Sequence, residues 1–164
     1  MKKDNPRHGG TRIIIYTDGA ARGNPGPAGW ASVLIDEKEI FEIGGASKHA
    51  TNNQMELTAP IEALKYLKQK NTQGSPVEIF SDSKYVILGI TEWIFNWQKN
   101  NWRNAAKKPV LNKELWEELY ELSQKFKIKW TYVEGHMGNK YNERADEIAT
   151  NFADGIKMKL RKEK

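Results

Sequence analysis

The 164-residue chain has no cysteine, which excludes disulfides, thiolate zinc sites and a cysteine nucleophile. That absence suits a reducing compartment, and the cytoplasm is the expected location. Long apolar runs are missing too. The longest stretch without a charged residue, Gly23 to Ile35, is 13 residues and is broken by Gly and Pro. It is too short to span a bilayer and lacks the layout of a secretory signal, so no membrane association is expected. Internal repeats and linkers are also absent, and with only three histidines a metal ion must be held by oxygen or imidazole. What is present fits one folded domain: the length suits a single core, and six Trp, six Tyr and five Phe reject wholesale disorder.

Charge is placed unevenly. The formal net charge is +5, but residues 1–12 carry +3, residues 93–113 carry +5 and residues 157–164 carry +4, which leaves the rest of the chain at −7. An acidic body with basic appendages is expected for a polyanion partner combined with a carboxylate-rich site. At the two termini, solvated lysines are the simpler reading. The expected organisation is a basic N-terminal extension (1–11), one domain (12–153) and a basic C-terminal tail (154–164).

Arg12 to Thr17 reads as a strand that stops at Asp18, before the breaker-rich GNPGPAG of residues 23–29. Trp30–Ile35 and Glu39–Ile43 read as two further strands of an antiparallel meander. Thr51 to Gln54 has the spacing of a capping box, and Leu57, Ile61, Leu64 and Leu67 recur at helical intervals. Pro60 predicts a helix that either starts near it or kinks there. Val77–Ser81 is a strand, Ser83 to about Trp97 is helical, and Asn112 is placed to cap a helix lined by Leu115, Leu119 and Leu122. A strand over Lys127–Val133, a glycine-marked loop over 134–141 and a helix with Ala145, Ile148, Ala149 and Phe152 on its buried stripe complete the chain. The order predicts an α/β layered domain, antiparallel at first and extended by parallel crossover units.

Two strands close alike, Tyr16-Thr17-Asp18 and Phe80-Ser81-Asp82. Each Asp alone reads as a turn or cap residue. As a pair on neighbouring strands they would sit side by side at the carboxyl ends, where open α/β sheets gather ligands, and such charges require a cation. Glu56 and Asp146 each read alone as an ordinary helix acid. Together the four acids form the oxygen-only set that suits Mg²⁺ or Mn²⁺, and two such ions can clamp a phosphodiester for attack by water. Trp93, Trp97 and Trp102 interleave with Lys99, Arg103, Lys107, Lys108 and Lys113, a pattern for phosphate and base contact, although Trp93 and Trp97 also have helix-packing spacing.

The strings TDGAARGNPGPAGW, TNNQMEL, FSDSKY and EGHMGNKYNERAD, in this order and spacing, resemble the type 1 ribonucleases H in their bacterial form, over roughly residues 12–153. The resemblance implies a five-stranded mixed sheet of order 3-2-1-4-5 flanked by helices. It implies hydrolysis of the RNA strand of RNA/DNA hybrids to 3′-hydroxyl and 5′-phosphate ends by a monomer with no protein partner. Carried over by position, Asp18, Glu56, Asp82 and Asp146 match the metal-binding carboxylates, with two Mg²⁺ ions in the presence of substrate, and His136 matches the loop histidine. Asn24, Asn52 and Asn53 match minor-groove contacts, Thr51 faces a DNA phosphate, and residues 93–113 match the basic protrusion, adding Trp93, Trp97, Lys99, Trp102, Arg103, Lys107 and Lys108 as substrate contacts. Lys84 stands where the family commonly has Gln close to the hybrid. The alternatives are a non-catalytic hybrid- or duplex-binding module, which needs the basic segment but not four acids, and another nuclease of the same superfamily fold.

Overall fold

The computed structural model describes residues 12–37, 39–72, 74–135 and 138–162. β-Branched and aromatic residues build β1 (Ile13–Ala21), whose alternation sends Ile13 and Ile15 to one face and Ile14 and Tyr16 to the other. β2 (Gly26–Asp36) and β3 (Glu39–Ala50) continue from it as an antiparallel meander. β4 (Val77–Ser81) and β5 (Ile128–Tyr132) add in parallel on the other side, so the sheet order is β3-β2-β1-β4-β5, as expected.

The first strand does not stop at Asp18. Its ladder runs on through Asp18↔Ala31 to Ala21↔Ala28, because the breakers of the following segment take up only a tight connection. Pro27 has no N–H to give, yet its carbonyl accepts from Arg22 N at 2.7 Å, so the ladder tolerates it there. β3 likewise extends past Ile43, where Gly44 to Ala50 pair with the early part of β2 across a bulge.

Helix α1 (Asn52–Gln69) begins at the expected capping box: Thr51 Oγ1 accepts from Gln54 N at 3.1 Å, and Thr51 N donates to Gln54 Oε1 at 2.8 Å. It does not start at Pro60, which lies inside it. Pro60 is buried beside Leu57, Ile61 and Leu64, and burial of each large apolar side chain contributes about 1.5–3 kcal/mol, which together exceeds the roughly 3 kcal/mol cost of an interior proline. Ser83 caps α2 (Lys84–Leu88), which continues through a π-turn at Gly89–Trp93 into α3 (Ile94–Lys99). Asn112 precedes α4 (Lys113–Ser123) but does not cap it through its side chain. It adopts a left-handed φ of 63°, and its Nδ2 donates to Tyr85 Oη at 3.1 Å instead.

Helices α1 and α4 cover one face of the sheet around Ile15, Leu34, Leu64, Ile79 and the fully buried Trp116. Helix α5 (Lys140–Ala153) covers the other, packing Ala145, Ile148 and Ala149 on Tyr16, Ala31 and Val33. Beyond α5 the chain turns back along β3. Glu42 N donates to Arg161 O at 2.7 Å, Arg161 N donates to Glu42 Oε1 at 2.9 Å, and Met158 and Leu160 pack beside the α5 core. The side chains of Lys157 and Lys159 are exposed while the backbone that carries them is held. The N-terminal extension lies outside the described residues. Among the described residues no helix is long and apolar enough to cross a membrane.

Candidate active site

The central strand places Asp18 sixth of its nine residues, and the adjacent parallel strand β4 delivers Asp82 just beyond its end. Ser83 N donates to Ser81 Oγ at 3.1 Å, which bends the chain around Asp82 before α2 starts. Glu56 arrives from the first turns of α1. Its approach depends on Gly19: a Cβ there would lie 2.5 Å from Glu56 N and 2.5 Å from the Met55 carbonyl carbon, so only glycine lets α1 come this close to β1. Gly29 does the same for α5, since a Cβ would lie 2.3 Å from Ala149 O. That second close contact seats the helix bearing Asp146 against the sheet.

Asp18, Glu56 and Asp82 each present a carboxylate oxygen, all within 4.8 Å of one another. Asp146, on α5, is close enough to Asp18 to act on its charge. Burial, then the charge of Asp82 and the neighbouring Asp146, push the Asp18 carboxyl up to about 9. Burial, then the charges of Asp18 and Asp82, raise Glu56 well above the usual carboxylate range. Glu56 Oε1 is buried without a hydrogen-bond partner. Buried acids crowded in this way stay charged only beside a cation, and the orphaned oxygen and all-oxygen donor set fit a hard divalent ion. Of the four sequence-predicted acids, Asp18, Glu56 and Asp82 are thus grouped within 4.8 Å, with Asp146 next to Asp18.

Around this cluster, Asn24 Oδ1 accepts from Asn52 N at 3.0 Å, leaving its Nδ2 as a donor facing outward with the exposed Asn52 and Asn53. Thr51 Oγ1 accepts its capping bond and keeps its hydroxyl proton to donate. Lys84 is exposed, with Nζ 5.5 Å from the ring centre of Tyr132, a neighbour that the sequence did not single out. His136 lies outside the described residues. In the basic segment Lys99, Arg103, Lys107 and Lys108 are exposed, and Arg103 Nη1 donates to Lys107 O at 3.0 Å. The three tryptophans divide: Trp93 is 38% exposed, whereas Trp97 and Trp102 are half-buried against the core that contains Trp116. Trp93, Trp97 and Arg103 line a surface cleft of about 350 Å³. A cleft of about 550 Å³ lies elsewhere, between β3, the end of α1 and the C-terminal segment.

The RNase H family profile matches residues 10–154. The chain is 48% identical over 148 residues, 90% of its length and 92% of the relative's, to the Ribonuclease H of Thermosynechococcus vestitus. Among solved structures, LC9-RNase H1, a type 1 RNase H with the type 2 active-site motif, superposes with a TM-score of 0.82 at 24% identity, covering 98% of this chain and 80% of that one, a likeness of fold. LC11-RNase H1 in complex with RNA/DNA hybrid superposes with a TM-score of 0.66 at 29% identity, covering 87% of this chain and 97% of that one.

Proposed function

The chain belongs to the ribonuclease H family and is a ribonuclease H of type 1; on that premise we propose that it hydrolyses the RNA strand of RNA/DNA hybrids by metal-assisted catalysis, leaving 3′-hydroxyl and 5′-phosphate ends. The cluster of Asp18, Glu56 and Asp82, with carboxylate oxygens within 4.8 Å of one another, carries this reading. Asp18, Glu56, Asp82 and Asp146 are the residues that hold Mg²⁺, with Mn²⁺ as a substitute. Two bound ions supply the positive charge that activates a water and stabilises the leaving 3′ oxygen.

The protein's own groups set which strand is cut. Asn24 Nδ2 and the Asn52 and Asn53 amides donate to and accept from 2′-hydroxyls in the minor groove, the atoms that distinguish RNA from DNA. The Thr51 hydroxyl and Lys84 Nζ donate to backbone phosphates. Trp93, Trp97, Trp102, Lys99, Arg103, Lys107 and Lys108 grip the DNA strand, with Trp93 offering ring surface while Trp97 and Trp102 stiffen the segment from below. An imidazole nitrogen of His136 carries a proton during turnover and helps product leave. The protein acts as a cytoplasmic monomer without a protein partner.

The test is cleavage of RNA/DNA hybrid, duplex RNA and duplex DNA with and without Mg²⁺. Hybrid RNA is cut only with the ion, and Asp18→Asn removes nearly all turnover. Equal rates on duplex DNA, or a tenth of the activity retained by Asp18→Asn, would refute the assignment.

A further inference from the structure

Four residues, Arg22 to Pro25, connect β1 to β2 and set Asn24 against the first residue of α1, the helix that carries Glu56. Among the described residues this loop is tied at three points. Arg22 N donates to Pro27 O at 2.7 Å, and Asn52 N donates to Asn24 Oδ1 at 3.0 Å. The third tie is a two-pronged ion pair: Arg22 Nε donates to Asp154 Oδ1 at 2.5 Å and Arg22 Nη2 to Asp154 Oδ2 at 2.9 Å.

Asp154 is an unexpected residue where it stands. It occupies the C-cap of α5, the negative end of the helix, where a carboxylate is unfavourable and a cation is favoured. The Arg22 guanidinium supplies that cation and matches the carboxylate with a planar fork. Asp146, Thr150 and Asp154 also recur at four-residue intervals, so the pair closes on the face of α5 that carries Asp146. The hydrogen bond and charge of Asp154, together with the more distant charge of Asp146, raise the Arg22 pKa further.

We propose that Arg22 and Asp154 form a clamp between the β1–β2 loop and the end of α5 that holds Asn24 in register with the carboxylate cluster, making both of them positioning residues for hybrid binding. The proposal rests on the hybrid-cleaving reading above. It is distinct from direct recognition, because the clamp uses both Nε and Nη2 of the guanidinium within the protein.

Arg22→Ala and Asp154→Asn are compared with wild type on a hybrid substrate. The pair is exposed, with side chains 51% and 36% accessible. Each variant should therefore raise KM about two- to fivefold with kcat unchanged, the range expected for an exposed ion pair. The double variant should be no weaker than either single one, and the swap Arg22→Asp/Asp154→Arg should recover most of the loss. The log-log salt slope of affinity should stay at the wild-type value, whereas loss of a direct phosphate contact would make it shallower by about 0.9. Amide exchange at Gly23 and Asn24 in the free protein should quicken in both single variants. That last measurement needs no substrate, so it tests the clamp even if wild type fails to cut hybrids and the functional reading falls. Wild-type KM in Asp154→Asn, or a shallower salt slope confined to Arg22→Ala, would overturn the clamp.

Discussion

Replacing Asp18 by Asn should stabilise the metal-free protein while ending its activity. The Asp18 carboxyl is raised to about 9 from an ordinary value of 3.8, chiefly by burial and then by the charge of Asp82. Between those two values the folded state holds a proton that the unfolded state has released, so this group makes stability fall as pH rises from about 4 to about 9. At pH 7 the folded carboxyl is protonated about three pH units above its ordinary value, and at about 1.36 kcal/mol per unit the penalty has a ceiling of about 4 kcal/mol. An amide keeps the shape and bears no such penalty. Local relaxation of the wild-type site lowers the ceiling, and a gain of about 1–3 kcal/mol corresponds to a rise in Tm of about 2–10 °C for a domain of this size. The assay is thermal unfolding followed by circular dichroism in EDTA, from pH 4 to pH 9, on both proteins. The gap should be near zero at pH 4 and widen with pH, and millimolar Mg²⁺ should close it by stabilising the wild type more. A Tm for Asp18→Asn equal to or below wild type at pH 8 in EDTA, or a gap that ignores pH, would refute the reasoning.

Gly19→Ala should cost about 1–3 kcal/mol in denaturant melts and lower kcat more than tenfold, because the added methyl meets the α1 backbone 2.5 Å away at Glu56 and must push that carboxylate out of the cluster. Replacing Lys99, Arg103, Lys107 and Lys108 by Ala should raise KM for long hybrids at nearly unchanged kcat, with the log-log salt slope shallower by up to roughly 3 to 4 units; an unchanged slope with a collapsed kcat would reassign the segment to support of the fold. His136→Ala should slow multiple turnover yet leave cleavage measurable, since water relays protons slowly, and a loss as complete as that of Asp18→Asn would contradict the proton-carrying role. Ending the chain after Ile156 removes the Arg161 backbone bonds to Glu42 and the packing of Met158 and Leu160, and should lower stability by about 1–3 kcal/mol with kcat intact.

The sheet order and the grouping of Asp18, Glu56 and Asp82 were legible in the sequence because they follow from long motif strings in a fixed order. Boundaries were less so. Asp18-Gly19 has the look of a strand end, yet Gly19 is there for the close passage of α1, a contact between residues far apart that no local pattern encodes. Pro60 does not mark the start of α1, because the burial around it outweighs its cost. Trp97 and Trp102 share a basic segment with Trp93, but their partial burial depends on Trp116, which comes from a different helix. The ties of Arg22 to Asp154 and of Arg144 to Glu42 join positions more than a hundred residues apart, and no local pattern in the sequence points to either.

The topology also decides when the chemistry can begin during folding. The β1–β2–β3 meander and α1 pair near neighbours in sequence and can form early, and they bring only Asp18 and Glu56. The parallel pairing of Ile13 with Val77 must first close a long loop before Asp82 arrives, and Asp146 waits for α5 to cross to the far face of the sheet. Asp18, Glu56 and Asp82 therefore meet, with Asp146 beside Asp18, only when both layers are in place. A partly folded chain that exposes the meander carries half a cage, with weak hold on a divalent ion, so saturable ion binding serves as a built-in report that assembly is complete.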